Sequence, residues 1–270
     1  MGGPGRYFRL FAAFSRFALA TELAYRANFL VKLFVEALWL FILLVFYLTI
    51  FRSPDQTIAG WNRDQYLFFV GCHYALSGLV ETFFLENCMD FAELVRSGDL
   101  DLYLLKPIDE QFLITCRKID WSTLPNIVQG GLVMAVALAG LHWQFDPMRL
   151  ASFLVLFACG AAMMYSFLLL LTSTSVWLVR NQSLMEMWWL FTTLMRYPRE
   201  IFRGTWATPF GLFFTFVVPV MLIVSVPADT MVKVFDWRFI ALTLAATAVL
   251  LVVSRRFFRH ALQSYRSASS

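Results

Sequence analysis

The residues that could do chemistry are few and badly spaced for it. Cys72, Cys88, Cys116 and Cys159 stand singly with no CxxC pair, so neither a zinc site, a redox motif nor a disulfide framework is indicated. His73, His142 and His260 are equally scattered and no HExxH occurs, which leaves metal chemistry without ligands. No GxxxxGK[ST] loop is present, so ATP cannot be bound and hydrolysed on this chain by that device. No catalytic residue, bound cofactor or metal is therefore expected, and no enzyme. What remains are ionisable groups inside apolar stretches: Glu36, His73, Glu81 and Glu186. Such groups are functional candidates by default. The plainer reading pairs Glu36, Glu81 and Glu186, near span ends, with Lys32, Arg180 or Arg117, and makes His73 an interhelical hydrogen-bond partner. The run Trp188-Trp189-Leu190-Phe191 could line a path for a hydrophobic or cationic aromatic molecule or serve as an interfacial anchor.

The most patterned polar segment runs Asn87-Cys88-Met89-Asp90-Phe91-Ala92-Glu93-Leu94-Val95-Arg96-Ser97-Gly98, then Asp99-Leu100-Asp101-Leu102-Tyr103-Leu104-Leu105-Lys106-Pro107-Ile108. Phe91, Leu94 and Val95 share a helical face, and Gly98 is placed to end that helix in a left-handed cap. Pro107 marks a second break. Between them, leucines alternate with Asp99 and Asp101. Such an amphipathic piece can dock a hydrophobic groove while its acids meet basic residues at the rim. The alternative is a solvated loop with incidental leucines.

The elements that must hold these residues are set by composition. Hydrophobic residues make up 60% of the chain and charged ones only 15%, against about a quarter charged in soluble domains. The apolar residues come in blocks of about 20, the length that crosses hydrocarbon. The predicted spans are Phe29–Phe51, Gln65–Glu86, Leu124–Leu141, Leu150–Val179 and Phe239–Phe257. Ser53-Pro54-Asp55 signals a turn after the first, and His142–Arg149 joins the third to the fourth. Residues Arg6–Arg26 read as an amphipathic interfacial helix, with Arg6, Arg9, Ala13 and Arg16 on one stripe and Tyr7, Phe8, Phe11, Phe14 and Ala18 on another. No signal peptide is evident in these residues, and Arg6 stands where a myristoylation motif wants Ser or Thr. Ser267–Ser270 looks like a frayed tail. The net charge of +4 is dispersed among the spans, so it reads as loop lysine and arginine rather than a nucleic-acid surface.

Orientation follows those charges. Arg6, Arg9, Arg16, Arg26 and Lys32 flank the first span. Arg96, Lys106, Arg117 and Lys118 lie between the second and third, and Arg255, Arg256, Arg259 and Arg266 close the chain. Arg52, Arg63 and Arg149 are sparse on the opposite side. Both termini and the second loop thus face the cytoplasm, and the number of spans is even. Between Asn181 and Asp236, Ser183–Met195 and Pro209–Val226 are both apolar, and parity allows one to cross. The positions of Arg196, Arg199 and Arg203 favour the second stretch by the charge rule. The alternative has the first cross and the second dip and return.

The string Arg96-x-Gly98-x-Leu100 with Leu104-Leu105-x-Pro107-Ile108 resembles the cytoplasmic segment of ABC-2-type permeases. The fuller Gly98–Pro107 string, Gly60-Trp61, Glu81-Thr82-Phe83-Phe84, Arg196-Tyr197-Pro198, Pro219 and Pro227 are similar to the bacterial ABC-2 membrane group 6 branch. The likeness covers nearly the whole chain. It implies an all-α integral membrane protein with six transmembrane helices in a single permease domain, 1–270. An elbow helix would occupy 1–28, a coupling segment 88–118 between helices 2 and 3, and a re-entrant extracytoplasmic region 198–236 between helices 5 and 6. This places Ser183–Met195 in the fifth span, against the charge count. It further implies a permease subunit of an ATP-driven exporter in a bacterial inner membrane, pairing with a second permease, identical or paralogous. ATP and Mg would sit on a separate ATPase, contacted through Arg96, Gly98, Asp99, Leu100, Asp101, Leu104, Leu105, Lys106 and Pro107. The rival classes are an ion-coupled secondary transporter, which should show repeated halves that this sequence lacks, and a structural membrane subunit with no nucleotide-dependent partner.

Overall fold

In a computed structural model, residues 4–53, 56–178, 182–202 and 208–265 are described. Pro54-Asp55, Arg180, Arg203, Arg266 and Ser267–Ser270 lie outside them. The chain forms α1 (Pro4–Ala24), α2 (Arg26–Ile50), α3 (Arg63–Val80), a π turn (Glu81–Leu85), α4 (Glu86–Ser97), α5 (Leu100–Leu104) and α6 (Glu110–Thr115). There follow α7 (Leu124–Gly140), α8 (Pro147–Leu178), α9 (Gln182–Leu194), a 3-10 turn (Arg199–Phe202), α10 (Thr208–Leu212), a second π turn (Phe213–Val217), α11 (Val220–Val232) and α12 (Trp237–Ser264).

Among the described residues, four helices are long and apolar enough to cross a membrane: α2, the continuous Arg63–Ser97 helix, α8 and α12. Thr208–Thr215 with Val220–Val232, bent by 86°, would make a fifth. Of the six expected spans, the Leu124–Leu141 one is the 17-residue α7, and the stretch from Ser183 is the 13-residue α9. α7 is short because Pro125 sets its first turn and the chain turns at His142, whose φ is +49°.

Lipid supplies no hydrophobic drive between helices, so close packing must hold the bundle together. The tightest approach is between α3 and α7. A Cβ on Gly71 would stand 2.7 Å from the Gly130 carbonyl, and one on Gly130 would stand 2.5 Å from the Ala75 nitrogen. One turn on, a Cβ on Gly78 would meet Asn126 at 2.8 Å. α8 repeats the device with Gly160 against the Ile223 carbonyl of α11. By contrast α2 buries only a narrow stripe that includes Leu40 and Tyr47, and leaves Leu30, Phe34, Leu38, Phe41 and Val45 exposed. An apolar face of that size belongs in hydrocarbon.

The two ends of the bundle differ. At one end, α1, the 86–121 segment and the C-terminal part of α12 meet. Tyr7 packs edge-on to Phe112 at 5.0 Å, Phe11 lies against Phe83, and the Glu22 carboxylate accepts from the Trp121 backbone N–H at 2.8 Å. The inner stripe of α1 is thus Tyr7, Phe11, Phe14 and Ala18. Phe8, assigned to it above, is exposed among the arginines, because it lies about 100° round the helix from Tyr7. At the other end, a tight turn with positive φ at Ala59 and Gly60 presents Trp61, and an Asn62–Gln65 capping box starts α3. The buried Trp61 indole donates to Glu200 at 3.0 Å. Arg199 bonds Glu200 and pairs with Asp229 of α11 at 2.9 Å. The bent pair begins and ends here, with Phe210 against Phe202 and the Val232 carbonyl accepting from Gln65.

Gly130→Val should therefore lower stability to denaturant in detergent by about 1–3 kcal/mol, the usual cost of overpacking. Gly131→Val, whose Cβ meets nothing within 4 Å, should change it by less than about 0.5 kcal/mol. Equal effects would mean that the α3–α7 contact does not limit stability.

Candidate functional site

A cavity of about 450 Å³ opens between α2, α3, α7 and α9. Helical spacing aims its lining side chains: Glu36, Trp39, Leu43 and Phe46 from α2, and His73, Tyr74, Ser77 and Glu81 along α3 and its π turn. Asn126 comes from α7, and Trp189 and Thr192 from α9, with Arg196 just past its end. The π turn fixes the approach of this face. In it the Thr82 carbonyl accepts from the Asp120 N–H at 2.9 Å and its hydroxyl bonds Thr123 at 2.9 Å, so the turn before α7 is tied to the helix that carries Glu81. π turns of this kind often mark functional positions.

The polar groups of the cavity are incompletely paired. Asn126 Nδ2 donates to Glu36 at 2.9 Å, and the same amide bonds Glu81. Its oxygen Oδ1, His73 Nδ1 and Ser77 Oγ are buried without a hydrogen-bond partner among the described residues. Unpaired buried polar atoms cost about 1–3 kcal/mol each, and all three belong to residues that line this one cavity. The partners expected for the acids are elsewhere: Lys32 faces Asp120 at 3.8 Å and Arg117 pairs with Asp90 at 3.0 Å. Glu186 is exposed on α9 and does not line the cavity. Trp188 is buried, whereas Trp189 is half exposed on the cavity wall. Among the described residues no group of three or more His, Cys, Asp or Glu could hold a metal ion.

The second candidate is the polar segment. α4 continues α3 without a break, so the helix runs 35 residues, about 50 Å at 1.5 Å per residue, well beyond a hydrocarbon core of about 30 Å. Gly98 ends it at φ +80°, as the glycine's position predicts. α5 then folds back, with Leu100 buried against Phe91, Ile114 and Phe258. Leu104 is half buried, Arg96 pairs with Glu93, and Asp101 bonds Tyr265. Arg96, Asp99, Leu102, Leu105, Lys106 and Pro107 are exposed. The expected site residues thus divide into an inward set that seats the segment and an outward set free to touch a partner.

Two ties that sequence spacing does not announce fasten the segment. Asn87 exchanges both amide groups with the Lys118 backbone, at 2.7 and 2.8 Å. Arg255 of α12 donates to Asp109 at 2.7 Å and to Gln111 at 3.0 Å. Burial would raise the Asp109 pKa, but the Phe112 N–H and the Arg255 guanidinium outweigh it and hold the carboxyl below its ordinary value.

A family model described as "ABC-2 family transporter protein" matches residues 37–269. Comparison with curated proteins and with solved structures gives no match.

In a background with its four cysteines replaced, Trp189→Cys, half exposed on the cavity wall, should react with a small charged thiol reagent, while Ala75→Cys, buried under α7, should not. Equal labelling would deny an open cavity. Because the folded Asp109 pKa is depressed, its stabilising effect is present above the ordinary carboxylate pKa of about 4 and is lost on acidification through the folded value. The unfolding midpoint of Asp109→Asn should accordingly lie below that of the parent at pH 6, and the gap should close as pH falls below about 4.

Proposed function

The chain belongs to the ABC-2 transporter family, and from that premise we propose that it is the membrane-spanning subunit of an ATP-driven exporter whose ATPase is a separate polypeptide. The observation that carries this reading is the exposed edge of the 99–107 segment, held on a helix that reaches well past the hydrocarbon. Leu102 and Leu105 offer apolar contact there, while Asp99 and Lys106 offer charge. Such an edge suits a groove with charged rims. The inward residues Leu100 and Leu104 transmit a push, since they lock α5 to α4 and α12.

In this reading the end of the bundle shared by α1, α4–α6 and the end of α12 faces the cytoplasm, with both termini there, in a bacterial inner membrane. α1 is the interfacial elbow. α7 and α9 complete six crossings, and the bent α10–α11 pair is a re-entrant hairpin on the far side. Two contacts support that hairpin: both its ends lie beside the Trp61 and Arg199 cluster. Two permeases, identical or paralogous, enclose the pathway. Closure of the ATPases moves the coupling segments, and the unbroken α3–α4 helix carries that motion to His73, Ser77 and Glu81 as a rigid body.

The test is a mild-detergent pull-down of the tagged chain from native membranes. We expect a Walker-type ATPase in stoichiometric amount, reduced at least tenfold by Asp99→Lys with Leu105→Ala, both exposed positions. Retention of the ATPase by a folded variant would move the coupling site elsewhere. Recovery with no nucleotide-binding partner would end the exporter reading.

A further inference from the structure

The cavity between α2, α3, α7 and α9 has a chemical bias that the permease reading does not supply. Glu36 and Glu81 both bond the Asn126 amide, so two carboxylates converge on one point within a wall otherwise built of Trp39, Phe46 and Trp189. Among the described lining residues Arg196 is the one lysine or arginine, and it sits on an exposed position beyond α9. The Asn126 amide spends its N–H groups on the acids, and its Oδ1 has no donor among the described residues. Ser77 Oγ and His73 Nδ1, both buried, also lack a partner among those residues.

We propose that this cavity binds an amphipathic molecule with a primary ammonium head, the head donating to Glu36 and Glu81 and the apolar body lying along Trp39, Phe46 and Trp189. An ammonium carries three donors and no acceptor, which matches the oxygens of two converging carboxyl groups. Aromatic side chains favour a nearby cation where water is scarce. A carboxylate head would face two other carboxyl groups, and a hydroxyl could satisfy only one acceptor as a donor. The cavity wall on α2 borders the lipid-facing surface, so an amphiphile can enter sideways from the bilayer. As a statement about cargo this rests on the permease reading. As a statement about binding it concerns this chain alone.

The experiment places the full chain in phosphatidylcholine nanodiscs and titrates three probes that share a dansylaminoundecyl body but end in an amine, a carboxylate or an alcohol. Empty nanodiscs correct for partition. Saturable binding of the amine at least tenfold tighter than the other two is expected. Glu36→Gln/Glu81→Gln should remove that preference and leave the alcohol unchanged, whereas Glu186→Gln, outside the cavity, should change nothing. Should the double variant fail to fold, Glu36→Gln alone, at a half-buried position, should weaken the amine severalfold. Equal binding of all three heads, or an amine preference that survives in a folded double variant, would overturn the assignment. Nanodiscs containing phosphatidylethanolamine separate two sources of the head: loss of probe binding there identifies a lipid headgroup, and unchanged binding a free amphipathic amine. No ATPase takes part, so failure here leaves the pull-down result standing, and the converse holds.

Discussion

The close approach of α3 to α7 is the constraint on which the rest depends. In a bilayer the side chains gain little by leaving lipid for one another, so backbone proximity must come from missing side-chain volume. Gly71, Ala75 and Gly78 clear that volume on α3, and Gly130 clears it on α7. The same contact sets Asn126 against the face of α3 that carries Ser77 and Glu81. A bulkier seam would push α7 outward and take the amide away from both carboxylates. Packing and polar chemistry are therefore one arrangement.

A second feature is the continuity of α3 with α4. A π turn lies between them without breaking the helix, and it aligns Glu81 with the cavity while α4 carries Phe91, Leu94 and Val95 into a separate apolar cluster with Phe258. Asn87 and Thr82 pin the 116–123 strip to this helix. The polar segment and the polar cavity thus ride on a single element. Displacement of one implies displacement of the other, unless the π turn itself relaxes.

The opposite end is held by a buried polar network rather than by small residues. Trp61, Glu200, Arg199 and Asp229 are linked in a chain of contacts, and Arg199 lies 3.7 Å from the centroid of the Phe239 ring. These contacts tie together the α3 start, the 3-10 turn, α11 and α12. They also explain why the bent pair is stable at an 86° bend: Pro219 at its break cannot donate a backbone hydrogen bond, and both arms are anchored beyond it.

The sequence by itself determined the membrane class, the positions of the long apolar helices α2, α3, α7, α8 and α12, and the cap at Gly98, because hydrophobic run length and a glycine's access to positive φ are local properties. It also yielded the family, through the Gly98–Pro107 string. The inward stripe of α1 was legible except at Phe8, where composition masked the angle. The partners of Glu36, Glu81, Lys32 and Arg117 were not legible, since several acids and bases lie within plausible reach and only the interhelical register selects among them. The charge count could not show what Arg199 does: it lies in a buried network with Glu200 and Asp229, groups 1 and 30 positions away in the chain. Tertiary structure alone decided that Leu100 turns inward while Leu102 and Leu105 stay out, and that three residues lining one cavity each bury a polar atom with no partner among the described residues. Those outcomes depend on which helix faces meet, and no single segment carries that information.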